Sequence, residues 1–151
     1  MRRKDRELNL QQAESILNEG LYGTLATAGN NIPYAIPLFY VYLDGAIYFH
    51  CAEEGHKLDN IKENNRVCFN VVSKVEVIPE EFAAFYSSAT VFGIAEEALG
   101  EEKKKALVFL IEKYSAEFYN EGMEYIDKLI EVTYVCKISP EVITGKGRLK
   151  E

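Results

Sequence analysis

The run Pro33-Tyr34-Ala35-Ile36-Pro37-Leu38-Phe39-Tyr40-Val41-Tyr42-Leu43, closed by Asp44-Gly45 and answered by Ala46-Ile47-Tyr48-Phe49-His50-Cys51, decides the fold. Both flanks are rich in aromatic and β-branched residues. An Asp-Gly pair between two such runs is a strong hairpin signal, because a tight hairpin turn needs positive φ at both central positions. Pro33 and Pro37 lack an N–H, so the first strand must have an edge or a bulge there.

Upstream of the hairpin, Asn9 and Gln12 have the spacing of a capping box ahead of a helix over residues 10–18. Ala13, Ile16 and Leu17 share one face, and Gly20 is expected to end the helix as a C′ glycine. A short strand over 22–27 leads to turn chemistry at Gly29-Asn30-Asn31. Downstream, 55–64 reads as a short helix with Leu58 and Ile61 inward. Residues 66–77 and 87–96 read as long β-runs around a turn or short helix at 79–85. Helical periodicity covers 101–119 through Leu107, Leu110, Ile111 and Tyr114, and 125–130 adds a further turn or two. The final strand is 131–138, with Val132, Tyr134, Cys136 and Ile138 alternating; 143–147 is a loop or a short closing strand.

Hairpin links between about six strands, with helices at their flanks, imply a mainly β, antiparallel sheet. Closing it into a six-stranded barrel removes the exposed edges. Strict strand–helix alternation is missing, which argues against a doubly wound sheet.

A chain of 151 residues fits one domain spanning 1–151. At this size a domain buries roughly 70% of its unfolded surface, enough for a core without staples. The net charge of −7 argues against nucleic-acid binding, which needs cationic surface, and Arg2-Arg3-Lys4 is a local exception. No apolar run reaches the roughly 18 residues of a membrane helix, and the start lacks a signal-peptide core, so a cytoplasmic location is expected. Cys51, Cys68 and Cys136 are odd in number and form no CxxC pair, as suits free thiols.

Gly55-His56-Lys57 stands where a β-run gives way to a helix. A helix N-terminus offers free N–H groups and partial positive charge to an anion. Gly55 allows close approach, Lys57 adds a charge and His56 a donor. The same residues also fit an ordinary connection with a solvated lysine. Glu53 and Glu54 would repel a phosphate unless they point outward. No metal is expected, since His50 and Cys51 point to opposite faces of one strand. A Cys51 nucleophile lacks a recognisable base with its orienter. There is no GxGxxG and no Walker loop. The aromatics around the hairpin suit a barrel core, or a wall for a planar ligand. Ser87, Ser88 and Thr90 could offer hydroxyls to a ribityl chain or phosphate, and are equally common strand-start residues.

The ordered set from Pro33 to Tyr40, through Asp44-Gly45 and Ile47 to Ala52, to Gly55-His56-Lys57 and Ile61 to Phe69, resembles the pyridoxamine 5′-phosphate oxidase-like superfamily of FMN-binding split barrels. Within it the chain looks most like the nitroimidazole-resistance family. Tyr86 to Ala95 and Thr144-Gly145-Lys146 extend the likeness over nearly the whole chain. The resemblance implies a homodimer with FMN at the subunit interface. It implies that the backbone of Ala35, Ile36, Pro37 and Leu38 lies along the flavin, with Tyr40 near the same strand end. His50 and Cys51 would flank the ribityl–phosphate side, His56 and Lys57 would hold the phosphate, and Ser87 and Ser88 would lie on the next strand, Ser88 in contact with the cofactor. Ala35 and His56 replace arginines of the true oxidases, which weakens the case for pyridoxamine phosphate oxidation and leaves part of the phosphate's countercharge to a histidine.

Two functions remain open on these residues. One is an FMN-dependent oxidoreductase reducing small nitro-aromatic or quinone-like acceptors, with NAD(P)H as a donor and His50 the one weak catalytic candidate. The other is a non-catalytic protein that holds FMN, or haem, as a sensor or store.

Overall fold

The computed structural model describes residues 3–149, so Arg2 lies outside the described residues. A two-residue β1 (Glu7–Leu8) precedes α1 (Leu10–Glu19). Then follow β2 (Gly23–Gly29), β3 (Ile32–Leu38), β4 (Val41–Leu43), β5 (Ala46–Ala52), α2 (His56–Glu63), β6 (Arg66–Ile78), β7 (Ala83–Glu97), α3 (Gly100–Tyr114), α4 (Tyr119–Leu129) and β8 (Thr133–Arg148). The strands form one sheet in the order β3-β2-β6-β7-β8-β5-β4, with β1 on β8. Every pairing is antiparallel.

The two ends of that order, β3 and β4, are consecutive in the chain and separated only by Phe39 and Tyr40. Chain continuity therefore joins the sheet's ends and gives a split barrel. The expected single strand over 33–43 is thus two strands around a corner, and with β1 the sheet has eight strands, not six. Merging β3 with β4 and setting β1 aside recovers the expected six. Pro33 and Pro37 lie on β3, whose only ladder partner among the described residues is β2, so their missing N–H groups face the split.

The turns obey their residues. Asp44 and Gly45 both have positive φ (50° and 78°), as do Asn30 and Asn31 (50° and 61°). The Asn9 side chain accepts from Gln12 N at 2.9 Å, and Asn9 N donates to Gln12 Oε1 at 2.9 Å. Gly20 departs from expectation: it is extended (φ −62°, ψ 132°), not left-handed. Space requires it, since a Cβ there would lie 2.3 Å from Val71 Cγ1 and 2.6 Å from the Tyr40 hydroxyl.

Three further expectations are corrected. The helix over 101–119 breaks at Ser115 (φ −146°, ψ 35°), and α4 is a full helix that packs Gly122 against Ile111. The final strand does not stop at Ile138. A register shift opposite Phe92 and Gly93 pairs Gly93 with Pro140 and Phe92 with Val142, leaving Glu141 as the extra residue of a bulge. That bulge absorbs the proline, and β8 stays paired with β7 as far as Arg148 while its other edge passes from β5 to β1.

Two apolar cores follow from strand alternation. Inside the barrel lie Leu25, Ile47, Phe49, Phe69, Val71, Val91, Cys136 and Ile138, plugged by Ala13, Ile16 and Leu17 of α1 and by Leu58 and Ile61 of α2. The second core joins Leu107 and Leu110 of α3 and Ile126 of α4 to Val41, Tyr48 and Val135 on the barrel's outside. Tyr48 donates to Glu102 Oε1 at 2.8 Å, tying α3 to β5.

The end of α3 also fixes the β3–β4 corner. The Tyr114 hydroxyl donates to Tyr40 O (2.7 Å), and Lys113 Nζ donates to the same carbonyl at 3.1 Å while lying 4.1 Å above the Tyr40 ring. Lys113 has no ion-pair partner among the described residues. Desolvation lowers its ammonium from 10.5 to about 8. Between those values the unfolded chain binds more protons than the folded one, so this group's contribution to stability rises with pH from about 8 to 10.5. The melting temperature of wild type relative to Lys113→Met is therefore expected to climb between pH 7.5 and 10. A pH-independent difference in paired thermal melts contradicts this account of Lys113.

Candidate functional site

The expected site residues fall into four places. At the α2 N-terminus, Gly55 has φ 142° and ψ 160°, a conformation open essentially to glycine alone. No side chain caps that terminus among the described residues; Leu58 N donates to Gly55 O at 2.9 Å, which leaves the His56 and Lys57 N–H groups available to an anion. The His56 ring stacks on Tyr34 with centroids 4.4 Å apart. Glu53 and Glu54 are exposed. Lys57 is half-buried and lies close enough to Cys51 to oppose the desolvation that raises that thiol's pKa. Lys57, His56, Tyr34 and Cys51 thus gather at one end of the barrel.

Ala35, Pro37 and Ser88 lie on the second place, the outer face of the sheet. Cross-strand register builds it in rows. Ala35, Ala26, Cys68, Phe92 and Val142 stand side by side on successive strands, and Pro37, Thr24, Asn70, Thr90 and Thr144 form the next row. Asn70 Nδ2 donates to Thr90 Oγ1 at 2.8 Å and so fixes that row's hydroxyl. The helices α1 and α2 plug the barrel from its inner side, and α3 and α4 cover β4 and β5, so this face is left bare. It combines small apolar residues with neutral hydroxyl and amide groups, as an uncharged planar ring with polar edges requires.

His50 occupies the third place and does not meet Cys51. Alternation along β5 sends Cys51 toward the barrel core and His50 to the outside, at the rim of an apolar cavity of about 70 Å³ between α3, α4 and the sheet, lined by Leu107, Leu110 and Ile126. Desolvation there lowers the His50 pKa. The residue itself stays exposed, on the face of β5 opposite Cys51.

The fourth place is the core itself. Tyr40 is fully buried and its hydroxyl donates to Leu17 O at 2.6 Å. Ser87 is buried and donates to Ser73 O at 3.2 Å. Ile36 and Leu38 pack against the barrel core. These four side chains are turned away from any ligand on the outer face, and only their backbones remain eligible. Ser88 is half-buried on the outer face, where its hydroxyl donates to Lys146 O at 3.1 Å.

Two features were missed in the sequence. Tyr34 was visible only as one aromatic among many, and its partner His56 is 22 residues away. The polar row Thr24–Asn70–Thr90 follows from period-two alternation in three separate strands, and its register could not be aligned without the pairings.

The sequence profile of the pyridoxamine 5′-phosphate oxidase family matches residues 9–147. The chain belongs to that family. Solved structures show that this family member's fold is widely shared. It is similar to a candidate 5-nitroimidazole antibiotic resistance protein from Bacteroides thetaiotaomicron, with a TM-score of 0.80, 23% identity, and coverage of 93% of this chain and 86% of that one. An FAD-binding protein from Mesorhizobium loti superposes with a TM-score of 0.68 at 22% identity, over 95% and 98% of the two chains. An FAD and heme binding protein from Mycobacterium smegmatis does so at 0.80 and 17% identity, over 96% and 74%. At these identities the likeness is one of fold. No curated protein matches the chain. Among the described residues no helix of this oxidase-family chain is long and apolar enough to cross a membrane.

Proposed function

We propose that this chain is a flavin-binding protein, that FMN is the flavin, and that it works as an oxidoreductase on small nitro-aromatic or quinone-like acceptors with NAD(P)H as donor. The observation that carries the reading is the uncapped α2 N-terminus flanked by His56 and Lys57. It suits a single phosphate monoester, which FMN carries. The bare face with Ala35, Pro37 and Ser88 suits the ring, and the flavin-binding descriptions of several structural relatives support the same class of cofactor. A bound flavin supplies the electron transfer; the protein's own groups orient it and exclude water.

The site is read as shared by two copies of one single-domain chain. Phe92, Val72 and Val142 on the bare face, and Val75, Val77 and the fully exposed Phe82 near the β6–β7 turn, leave apolar surface that a partner copy would cover. Three free thiols suit a reducing, cytoplasmic setting.

A second reading, a flavin or haem protein without turnover, is favoured by one observation: the two rows around Ala35 and Pro37 hold no carboxylate or imidazole that could move a proton. Anaerobic addition of NADPH to the FMN-loaded protein separates the two. Bleaching that is reversed by a quinone is expected of the oxidoreductase. Flavin bands that persist would overturn turnover with this donor, and a Soret band would favour haem. Sedimentation equilibrium should give twice the chain mass; a monomer would contradict the shared site.

A further inference from the structure

The chain carries a net charge of −7, yet Arg3, Arg6, Lys146 and Arg148 gather at one corner of the sheet. Lys146 and Arg148 alternate with glycines on β8, and their cross-strand partners are Ser88 and Tyr86. Arg6 arrives from the segment before β1. Arg3, Arg6 and Arg148 line an open pocket of about 610 Å³.

The acids nearby neutralise this cluster only in part. Asp5 is taken by Arg3. Glu81 reaches Arg148 only at 3.7 Å, and the Arg148 guanidinium rests over the Phe85 ring at 5.0 Å. Glu7 lines the pocket and is paired with Lys146 in the backbone register. Neither Arg6 nor Lys146 makes an ion pair among the described residues. The Tyr86 hydroxyl records the local field: hydrogen bonding from Arg6, with Lys146 adding its charge, draws it below the usual phenol range. Like charges held this close repel, and an anion between them removes that repulsion.

We propose that Arg6, Lys146 and Arg148, gathered around the Tyr86 hydroxyl, form a second anion subsite that takes the phosphoryl group of a phosphorylated organic ligand. Guanidinium forks match phosphate oxygens, and the phenol adds a neutral donor. The pocket exceeds what one phosphate fills and falls in the size range of small-molecule sites. Ser88 and Lys146 place the subsite at the end of the bare outer face, whereas His56 and Lys57 stand at the α2 N-terminus. Two sources share this chemistry: the phosphate of a donor or substrate, and the phosphate of the flavin itself. The inference stands on the cationic cluster and does not require that flavin binds.

The test is calorimetric titration of ADP and of inorganic pyrophosphate into FMN-free and FMN-treated protein, in wild type, Lys146→Gln and Arg148→Gln. Both variants alter half-exposed side chains on a strand end, and a thermal melt confirms their folding. Binding to FMN-treated wild type that weakens at least about tenfold in each variant, with FMN affinity unchanged, assigns the subsite to a separate ligand's phosphate. Variants that lose FMN affinity about tenfold but keep riboflavin affinity assign it to the flavin's phosphate. Absence of ADP and pyrophosphate binding together with unchanged FMN affinity in the variants, or binding that the variants leave intact, overturns the proposal. A protein that ignores FMN but binds ADP through these residues would sink the flavin reading alone.

Discussion

Lys57→Ala is expected to weaken FMN binding roughly 10- to 100-fold, the worth of one charge-assisted hydrogen bond of about 1.5–3 kcal/mol. Riboflavin, which lacks the phosphate, should bind both proteins alike. The expectation follows from position. Lys57 is the second residue of α2, beside a terminus that no side chain caps, and it makes no ion pair among the described residues. Its removal breaks no internal partner, so folding should be unaffected. Fluorescence-quenching titrations with the two flavins decide the matter. An equal loss for both would place Lys57 against the ring or in the folding of α2. Unchanged FMN affinity would remove it from the site.

The largest expected stability effect lies in the barrel core. Phe69 is fully buried, packs edge-on against Tyr40 with centroids 4.9 Å apart, and occupies the space left by Gly23, where a Cβ would come within 2.2 Å of its ring. Phe69→Ala removes most of that ring's packing and leaves a cavity between β2, β6 and the β3–β4 corner. Such truncations cost about 3–5 kcal/mol, a large share of the roughly 5–15 kcal/mol that holds a domain folded. Phe92 lies on the exposed outer face and is 49% accessible in the single chain. Phe92→Ala should change the chain's own stability by about 0.5 kcal/mol or less. Urea denaturation of the two variants, at a dilution where any dimer dissociates, measures the contrast. Comparable losses would mean that the inner face of β6 and the outer face of β7 have been misassigned.

The sequence carried the turns and the strands better than their joints. Asp44-Gly45, Asn30-Asn31 and the Asn9–Gln12 box are local chemistry, and local chemistry is legible in a single chain. The corner at Phe39–Tyr40 was hidden because an unbroken apolar run gives no signal where it bends; Lys113 and Tyr114, more than 70 residues away, hold it. The final strand was expected to end at Ile138, yet a bulge opposite Gly93 carries β8 past Pro140. The length of α4 was obscured by its outward Tyr119 and Tyr125, which blur the apolar stripe.

At the site, period-two alternation separates neighbours that the family likeness groups together. Ser87 faces the core and Ser88 the outside; Cys51 faces the core and His50 the helices. The rule was available from the residues alone. Which face mattered was not, because that depends on where α1, α2, α3 and α4 dock. The basic corner around Tyr86 was dispersed in the sequence among residues 6, 146 and 148, and only the β7–β8 pairing collects it.

The proposed function stands on FMN binding by this chain. Incubating the purified protein with FMN, removing free flavin by gel filtration and recording the visible spectrum of the protein peak tests it directly. Oxidised-flavin bands are expected to travel with the protein, near one flavin per chain. A colourless protein peak after exposure to excess FMN would contradict it and leave the split barrel without its proposed cofactor.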